Sequence, residues 1–375
     1  MIRILIIYAT AGTGHKKAAL AVKEAFNEIG PDVSVEILDS LDYTTTFFKW
    51  SYPRFYIFLV NRVPLFWGWC YHILDNKIFY SLTSWIRHLT NWINSRRLAE
   101  YLKKENYDVI ISTHFLAPDV ISMEGRERIK SRLINVITDY RTHSLWIAKS
   151  ADIYVVAHEK TKVDLISRYG IEEEKIKVLG IPIEPVFSKK KDKNELIKKH
   201  GIDKDLFTVL VGSGGFGVGP IIDLVKSFKG VSLAMQLLVV CGKNESLSIE
   251  VKGLQRDIRI PMKVYGYIDF MDELMELADV IVTKTGGMMS SESLSKDLPI
   301  IGIAPIPGQE TRNYNILVES GVVLGVKDIN EVPRIVERLC RDKALTKDLK
   351  IKIASIKRPD AAYNVARLAL KVAGI

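Results

Sequence analysis

Apolar residues occur along this chain in short blocks separated by stretches of helical period. Ile2–Tyr8 is one such block; a glycine turn follows, then a helical pattern that runs through Ile29. Val33–Leu38, Val109–Ser112, Leu133–Thr138 and Ile153–Val156 are further blocks, most with helical patterns between them. The second half repeats the arrangement with Thr208–Val211, Gln236–Val240, Lys263–Val264, Asp279–Thr283 and Ile300–Ile303. Short continuous apolar runs bounded by turn residues read as strands covered on both faces, and strands alternating with helices predict parallel sheets. The halves meet in the Pro-containing stretch Gly180–Pro185, suited to a linker, and a last helical pattern spans Ala361–Val372. A chain of 375 residues exceeds one ordinary core. The expectation is an α/β protein with two Rossmann-like domains facing a cleft, at residues 1–182 and 183–358, and a C-terminal helix at 359–375 that can pack back on the first domain.

Tyr43–Ile93 breaks the pattern. It holds sixteen of the thirty-four aromatic residues and five of the six tryptophans. From Tyr43 to Lys104 there are nine Lys or Arg against Asp75 and Glu100, most of the net charge of +9. Rings and cations interleave, as in Trp50 with Arg54, Trp67 and Trp69, and Trp85 with Arg87. Amphipathic rings at headgroup level with cations for phosphates suit an interfacial element facing an anionic membrane; the bland alternative is an aromatic-rich subdomain core. Stacking of single-stranded nucleic acid on these rings is the weaker reading, because the other motifs point elsewhere. No stretch is long and apolar enough to span a bilayer, and the N-terminal run lacks a cleavage pattern. The three scattered cysteines form no disulfide framework or metal pair.

Four motifs carry candidate chemistry. Gly12, Gly14 and His15 follow the first strand and open a helix. Free N–H groups there favour anions and disfavour imidazolium, which leaves His15 able to accept a proton; a helix-capping turn with an incidental histidine is the alternative. Gly212, Gly214, Gly215 and Gly217 follow a strand and can cradle phosphate oxygens with backbone N–H groups. They formally match a dinucleotide fingerprint, but the next strand ends in Cys241 without the expected acid, which argues against a dehydrogenase. Lys284, Gly286, Gly287, Ser290 and Glu292 sit at a third strand end. The glycines suit a diphosphate on a helix N-terminus, and Glu292 suits ribose hydroxyls or merely the helix dipole. Gln309, Glu310 and Asn313, after Pro307 and Gly308, gather amide and carboxylate groups fit for sugar hydroxyls.

In this order the motifs resemble the monogalactosyldiacylglycerol synthases and processive diacylglycerol glucosyltransferases. Gly12-x-Gly14-His15, Thr138-Asp139, Lys284-x-Gly286-Gly287, Glu292 and Pro307-Gly308-Gln309-Glu310 carry the resemblance over nearly the whole chain. It implies a GT-B fold, with a lipid acceptor in the N-terminal domain and a UDP-sugar in the C-terminal one. His15 would be the general base. Asp139 would orient the acceptor or His15. Gly286 and Gly287 would meet the nucleotide, Glu292 the ribose, Tyr267 the uracil, and Gln309 and Glu310 the hexose. Met289 stands where the family commonly has a hydroxyl, so Ser290, Ser291 or backbone N–H groups would have to supply that contact. The implied activity is an inverting transfer of glucose, or next galactose, to diacylglycerol or a glycosyl-diacylglycerol. It would run at the cytoplasmic side of a membrane, with no nucleic-acid partner, no cofactor and no essential metal. A UDP-N-acetylglucosamine-using enzyme of the same architecture and a non-catalytic UDP-sugar binder are the alternatives.

Overall fold

The computed structural model describes residues 1–375 except 11, 31, 77–82, 213, 216, 218 and 304, and, inside helices, the side chains of 61, 84, 87 and 88. The chain divides into two units. One comprises Met1–Pro185, Ile306–Arg312 and Asp360–Ile375; the other comprises Val186–Pro305 and Asn313–Pro359.

The first unit is built on a parallel sheet of β1 (Ile2–Tyr8), β2 (Val33–Asp39), β3 (Val109–Ser112), β4 (Arg132–Val136), β5 (Ile153–Val156) and β6 (Ile176–Val178), in the order β2-β1-β3-β4-β5-β6. Alternate residues of β1 enter opposite cores. Leu5 and Ile7 pack with Ile110, Leu133 and Tyr154, whereas Ile4 and Ile6 pack with Ala19, Val22 and Phe26 of the Thr13–Ile29 helix. That second core is closed by Ala362, Val365, Ala366 and Ala369 of the Ala361–Ala373 helix. The residues after Asp360 therefore belong to the first unit. Order reverses between β1 and β3, and ligands bind at such a switch point, outside the carboxyl ends of the strands.

The second unit carries β7 (Phe207–Gly212), β8 (Met235–Val240), β9 (Met262–Tyr265), β10 (Val280–Thr283), β11 (Ile300–Gly302) and β12 (Val323–Gly325), all parallel, in the order β12-β11-β10-β7-β8-β9. This is doubly wound topology with its switch point between β7 and β10. Strands β6 and β12 went unpredicted: each is three residues at a sheet edge, too short for any period to register. Thr138, expected inside a strand, lies past the end of β4.

The aromatic segment folds as helices Thr46–Arg62, Pro64–Leu74 and Ser84–Asn94, followed by Arg96–Lys104. Its inner attachment is polar as well as apolar. Asp75, buried at the end of the second helix, accepts from the Ser144 N–H at 2.9 Å and pairs with Arg168 and Arg312, each at 2.8 Å. Burial alone would raise its carboxyl, but these cations hold it well below the usual carboxylate range. The outer surface is apolar: among the described residues, fourteen of the twenty-two exposed large hydrophobic ones fall between Phe47 and Ile93.

Candidate active site

Loops after β1, β3 and β4 converge at the first switch point. Gly12 precedes the Thr13–Ile29 helix in extended conformation, with no side chain capping the helix. A Cβ added at Gly12 would meet nothing within 4 Å, so space is open beside the helix start. His15 lies in the first turn. Its Nδ1 is 2.7 Å from the Thr113 carbonyl oxygen and 3.0 Å from Thr138 Oγ1. A carbonyl only accepts, so Nδ1 carries the proton and Nε2 presents a lone pair. The Thr113 hydroxyl donates in turn to the His15 carbonyl at 2.9 Å. The ring meets His114 edge-on at 4.7 Å and Trp146 at 5.9 Å. Burial pushes the imidazole down to about 4, against the Thr113 carbonyl, which favours the cation. Desolvation thus acts in the same direction as the helix terminus.

His114 is itself buried. Its Nδ1 accepts from the Leu116 N–H at 3.1 Å, and its ring stacks on Phe115 at 4.1 Å. Burial, then the neighbouring His15, holds it well below the ordinary histidine value. Asp139 is buried one residue beyond Thr138, yet Thr138 makes the bond to His15. The charge of Asp139 acts on two phenols: burial and then Asp139 raise the Tyr71 phenol, and burial, Glu310 and Asp139 raise that of Tyr56.

In the second unit Gly212 and Thr283 face each other across β7 and β10, with Thr283 Oγ1 donating to the Gly212 carbonyl at 2.9 Å. The glycine loop and the Lys284–Gly287 turn are therefore neighbours at the second switch point. Lys284 runs beside Gly219, where an added Cβ would lie 3.8 Å from Lys284 Cδ. Gly214 and Gly217 adopt φ of +71° and +66°, which glycine takes without strain. A Cβ at Gly217 would stand 2.3 Å from the Cys241 carbonyl oxygen, and one at Gly242 would stand 2.6 Å from that of Gly214. Close packing thus explains Gly217 and Gly242 without any ligand, whereas a Cβ at Gly214 would meet nothing within 4 Å. Gly286 differs: its φ is −69° and a Cβ there meets nothing within 4 Å, so open space lies before the Gly287–Ser295 helix. Ser290, in the first turn, is buried, and its Oγ has no hydrogen-bond partner among the described residues. Ser291 and Glu292 are also buried. Tyr267, exposed after β9, has the Lys243 ammonium 5.2 Å from its ring centre.

The last motif divides. Gln309 and Glu310 belong to the first unit and buried Asn313 to the second. Glu310 accepts from the Ile306 N–H at 2.9 Å, and Gly308, at φ +107°, sits where a Cβ would be 3.2 Å from Trp67 Nε1. Trp67 was expected at the outer face. Instead it turns inward, 5.4 Å from the Tyr56 ring and 5.8 Å from that of Tyr71. Trp50, Trp69 and Trp85 are exposed, and Arg54 lies 4.7 Å over the Trp50 ring. Arg87 is on the Ser84–Asn94 helix, but its side chain is outside the described residues.

Residues 15–183 match the monogalactosyldiacylglycerol (MGDG) synthase family model, and residues 206–357 match the glycosyltransferase family 28 C-terminal domain. A processive diacylglycerol beta-glucosyltransferase of Bacillus cereus (strain AH187) is 31% identical over 367 residues, covering 97% of this chain and 92% of the relative. The chain belongs to the processive diacylglycerol glucosyltransferase family. Solved structures agree on the fold. MurG of Acinetobacter baumannii aligns with a TM-score of 0.66 at 13% identity, covering 99% of this chain and 100% of that one. Anabaena Alr3699/HepE, crystallised with UDP, aligns at 0.59 and 14%, again covering 99% of this chain and 100% of that one. This family member is a glycosyltransferase with the GT-B fold. Sequence reasoning missed Thr113, His114 and Trp146. Thr113 and His114 directly follow a strand, which was a usable signal, but nothing in the sequence says that β3 lies beside β1.

Proposed function

We propose that this glucosyltransferase-family chain moves a hexose, glucose first and galactose next, from a UDP-sugar to diacylglycerol or a glycosyl-diacylglycerol. The site is the cytoplasmic surface of a membrane. The observation that carries the reading is the bare Nε2 lone pair of His15 at the first switch point. In the reaction that nitrogen takes the proton of the acceptor hydroxyl. The hydroxyl oxygen bonds to the anomeric carbon from the face opposite UDP, and the anomeric carbon–phosphate oxygen bond breaks with its electron pair leaving on UDP. Configuration inverts. The Gly287–Ser295 helix N-terminus and the Ser290 hydroxyl receive the diphosphate charge, the role a metal would otherwise take, so no metal is required. Glu292 holds ribose hydroxyls, and Gln309 with Glu310 the hexose.

The Ser84–Asn94 helix supports the membrane part. Trp85, Ile86, Leu89, Trp92 and Ile93 are exposed, while Asn91 is buried and donates to Asp119 at 2.5 Å. A helix with its polar side inward and its apolar side outward needs an apolar medium outside. The attachment in this reading is peripheral; among the described residues no helix is long and apolar enough to cross a membrane. The deciding experiment incubates the full chain with diacylglycerol vesicles and separate UDP-glucose, UDP-galactose and UDP-N-acetylglucosamine, with and without EDTA. A β-glucosyl lipid formed equally with chelator is the expected product. Transfer only from UDP-N-acetylglucosamine, or no transfer from any donor, would refute the reading.

A further inference from the structure

Two oxygens from two different strand ends address one nitrogen of His15. Thr113, after β3, contributes its backbone carbonyl; Thr138, after β4, contributes its hydroxyl. We propose that Thr138 is a positioning residue for the transfer: its hydroxyl accepts part of the Nδ1–H bond and so fixes the rotation of an imidazole whose tautomer the Thr113 carbonyl sets. The inference rests on His15 being the base. A single acceptor would leave the ring free to swing about that one contact. A second acceptor from another direction defines the ring plane, and the Thr113 hydroxyl pins the backbone of the same residue. The lone pair on Nε2 then points one way before the acceptor arrives, which is the preorganisation a proton acceptor needs.

The charge balance makes this contact matter. When Nε2 takes a proton, the imidazolium has no carboxylate bonded to it among the described residues. His114, the titratable ring against it, is neutral because its Nδ1 is occupied by the Leu116 N–H. Trp146 carries no charge, and Tyr52 stands beyond His114 at 6.5 Å. Among the described residues the Thr113 and Thr138 oxygens are the acceptors on this ring, so loss of one removes part of the direct support of the cation.

The test compares wild type, Thr138→Val and Thr138→Ser in the full chain, with UDP-glucose and diacylglycerol vesicles. Valine keeps the shape and removes the hydroxyl. Turnover in Thr138→Val should fall by about tenfold or more, with the KM for UDP-glucose within twofold, and Thr138→Ser should recover most of the loss. Spectra of 15N-histidine-labelled protein should show His15 as the Nδ1–H tautomer in all three, with its ring resonances broadened by ring motion only in Thr138→Val. An Nε2–H tautomer in the wild-type spectrum would overturn the proposal without any variant. So would wild-type turnover with equally sharp ring resonances in Thr138→Val. His15→Gln separates the layers: full activity there removes the base itself, whereas a dead His15→Gln beside an unaffected Thr138→Val removes only the role given to Thr138.

Discussion

Nδ1 of His15 faces a carbonyl that can only accept, and that single fact assigns the ring's proton. It also makes His15→Gln the sharpest test of the chemistry: turnover should fall by about a thousandfold, while UDP affinity, measured by calorimetry, stays within twofold. The pH dependence has a definite sign. The neutral imidazole is the active form, and burial lowers its value to about 4, so kcat/KM should stay flat from pH 7 to pH 5 and fall only on further acidification. A limb near the ordinary histidine value, about 6.5, would mean that His15 is solvated during catalysis. A structural counterpart is Gly242. Its φ of +61° and the 2.6 Å approach to the Gly214 carbonyl oxygen leave no room for a Cβ. Gly242→Ala should destabilise the protein by roughly 1–3 kcal/mol, read as a lowered Tm, without touching His15.

At the scale of an element, the Ser84–Asn94 helix inverts the usual arrangement. Asn94 Oδ1 accepts from the Thr45 hydroxyl at 2.6 Å on the inner side, and the tryptophans look outward. Replacing Trp85 and Trp92 together by Ser should weaken binding to anionic diacylglycerol vesicles at least about tenfold, since each buried indole contributes on the order of 1–2 kcal/mol. Thermal stability should not fall, because neither ring is packed in the fold. Flotation and a melting curve on one preparation decide the matter, and a variant that floats as well as wild type would move the membrane contact elsewhere. The Ala361–Ala373 helix behaves in the opposite way. Val365 is fully buried in the first unit's core, so Val365→Asp should cost about 3 kcal/mol or more and be seen as early unfolding in urea.

Across the whole molecule, buried histidines link stability to acid. His114 and His143 are nearly inaccessible, and burial lowers both, His143 to about 4 and His114 well below the ordinary value. The unfolded chain takes up protons at these groups first, as pH drops through the ordinary histidine value. Stability therefore rises with pH across the window from about 4 to 6.5 and is lost as pH falls through it, by up to about 1.4 kcal/mol per unit for each such group. Urea midpoints at pH 7 and pH 5 should differ accordingly, and equal midpoints would mean these rings are solvated. His143→Phe should lessen the dependence, since it removes one of the groups that take up a proton.

The sequence by itself determined which segments become strands, β6 and β12 excepted, because apolar blocks such as Ile4–Ile7 have only a doubly covered sheet to go to. It also determined that glycine turns and helix starts follow those strands, and so where His15, Gly286 and Glu292 had to be sought. Strand order was decided only by the tertiary structure. Nothing local makes β1 a neighbour of β3 or β7 a neighbour of β10, yet those pairings create the switch points and bring Thr113 and Thr138 to one nitrogen. Burial was likewise a tertiary outcome. The same aromatic richness sends Trp67 inward against Tyr56 and Tyr71 and Trp85 outward, because the direction of a side chain depends on what its helix packs against.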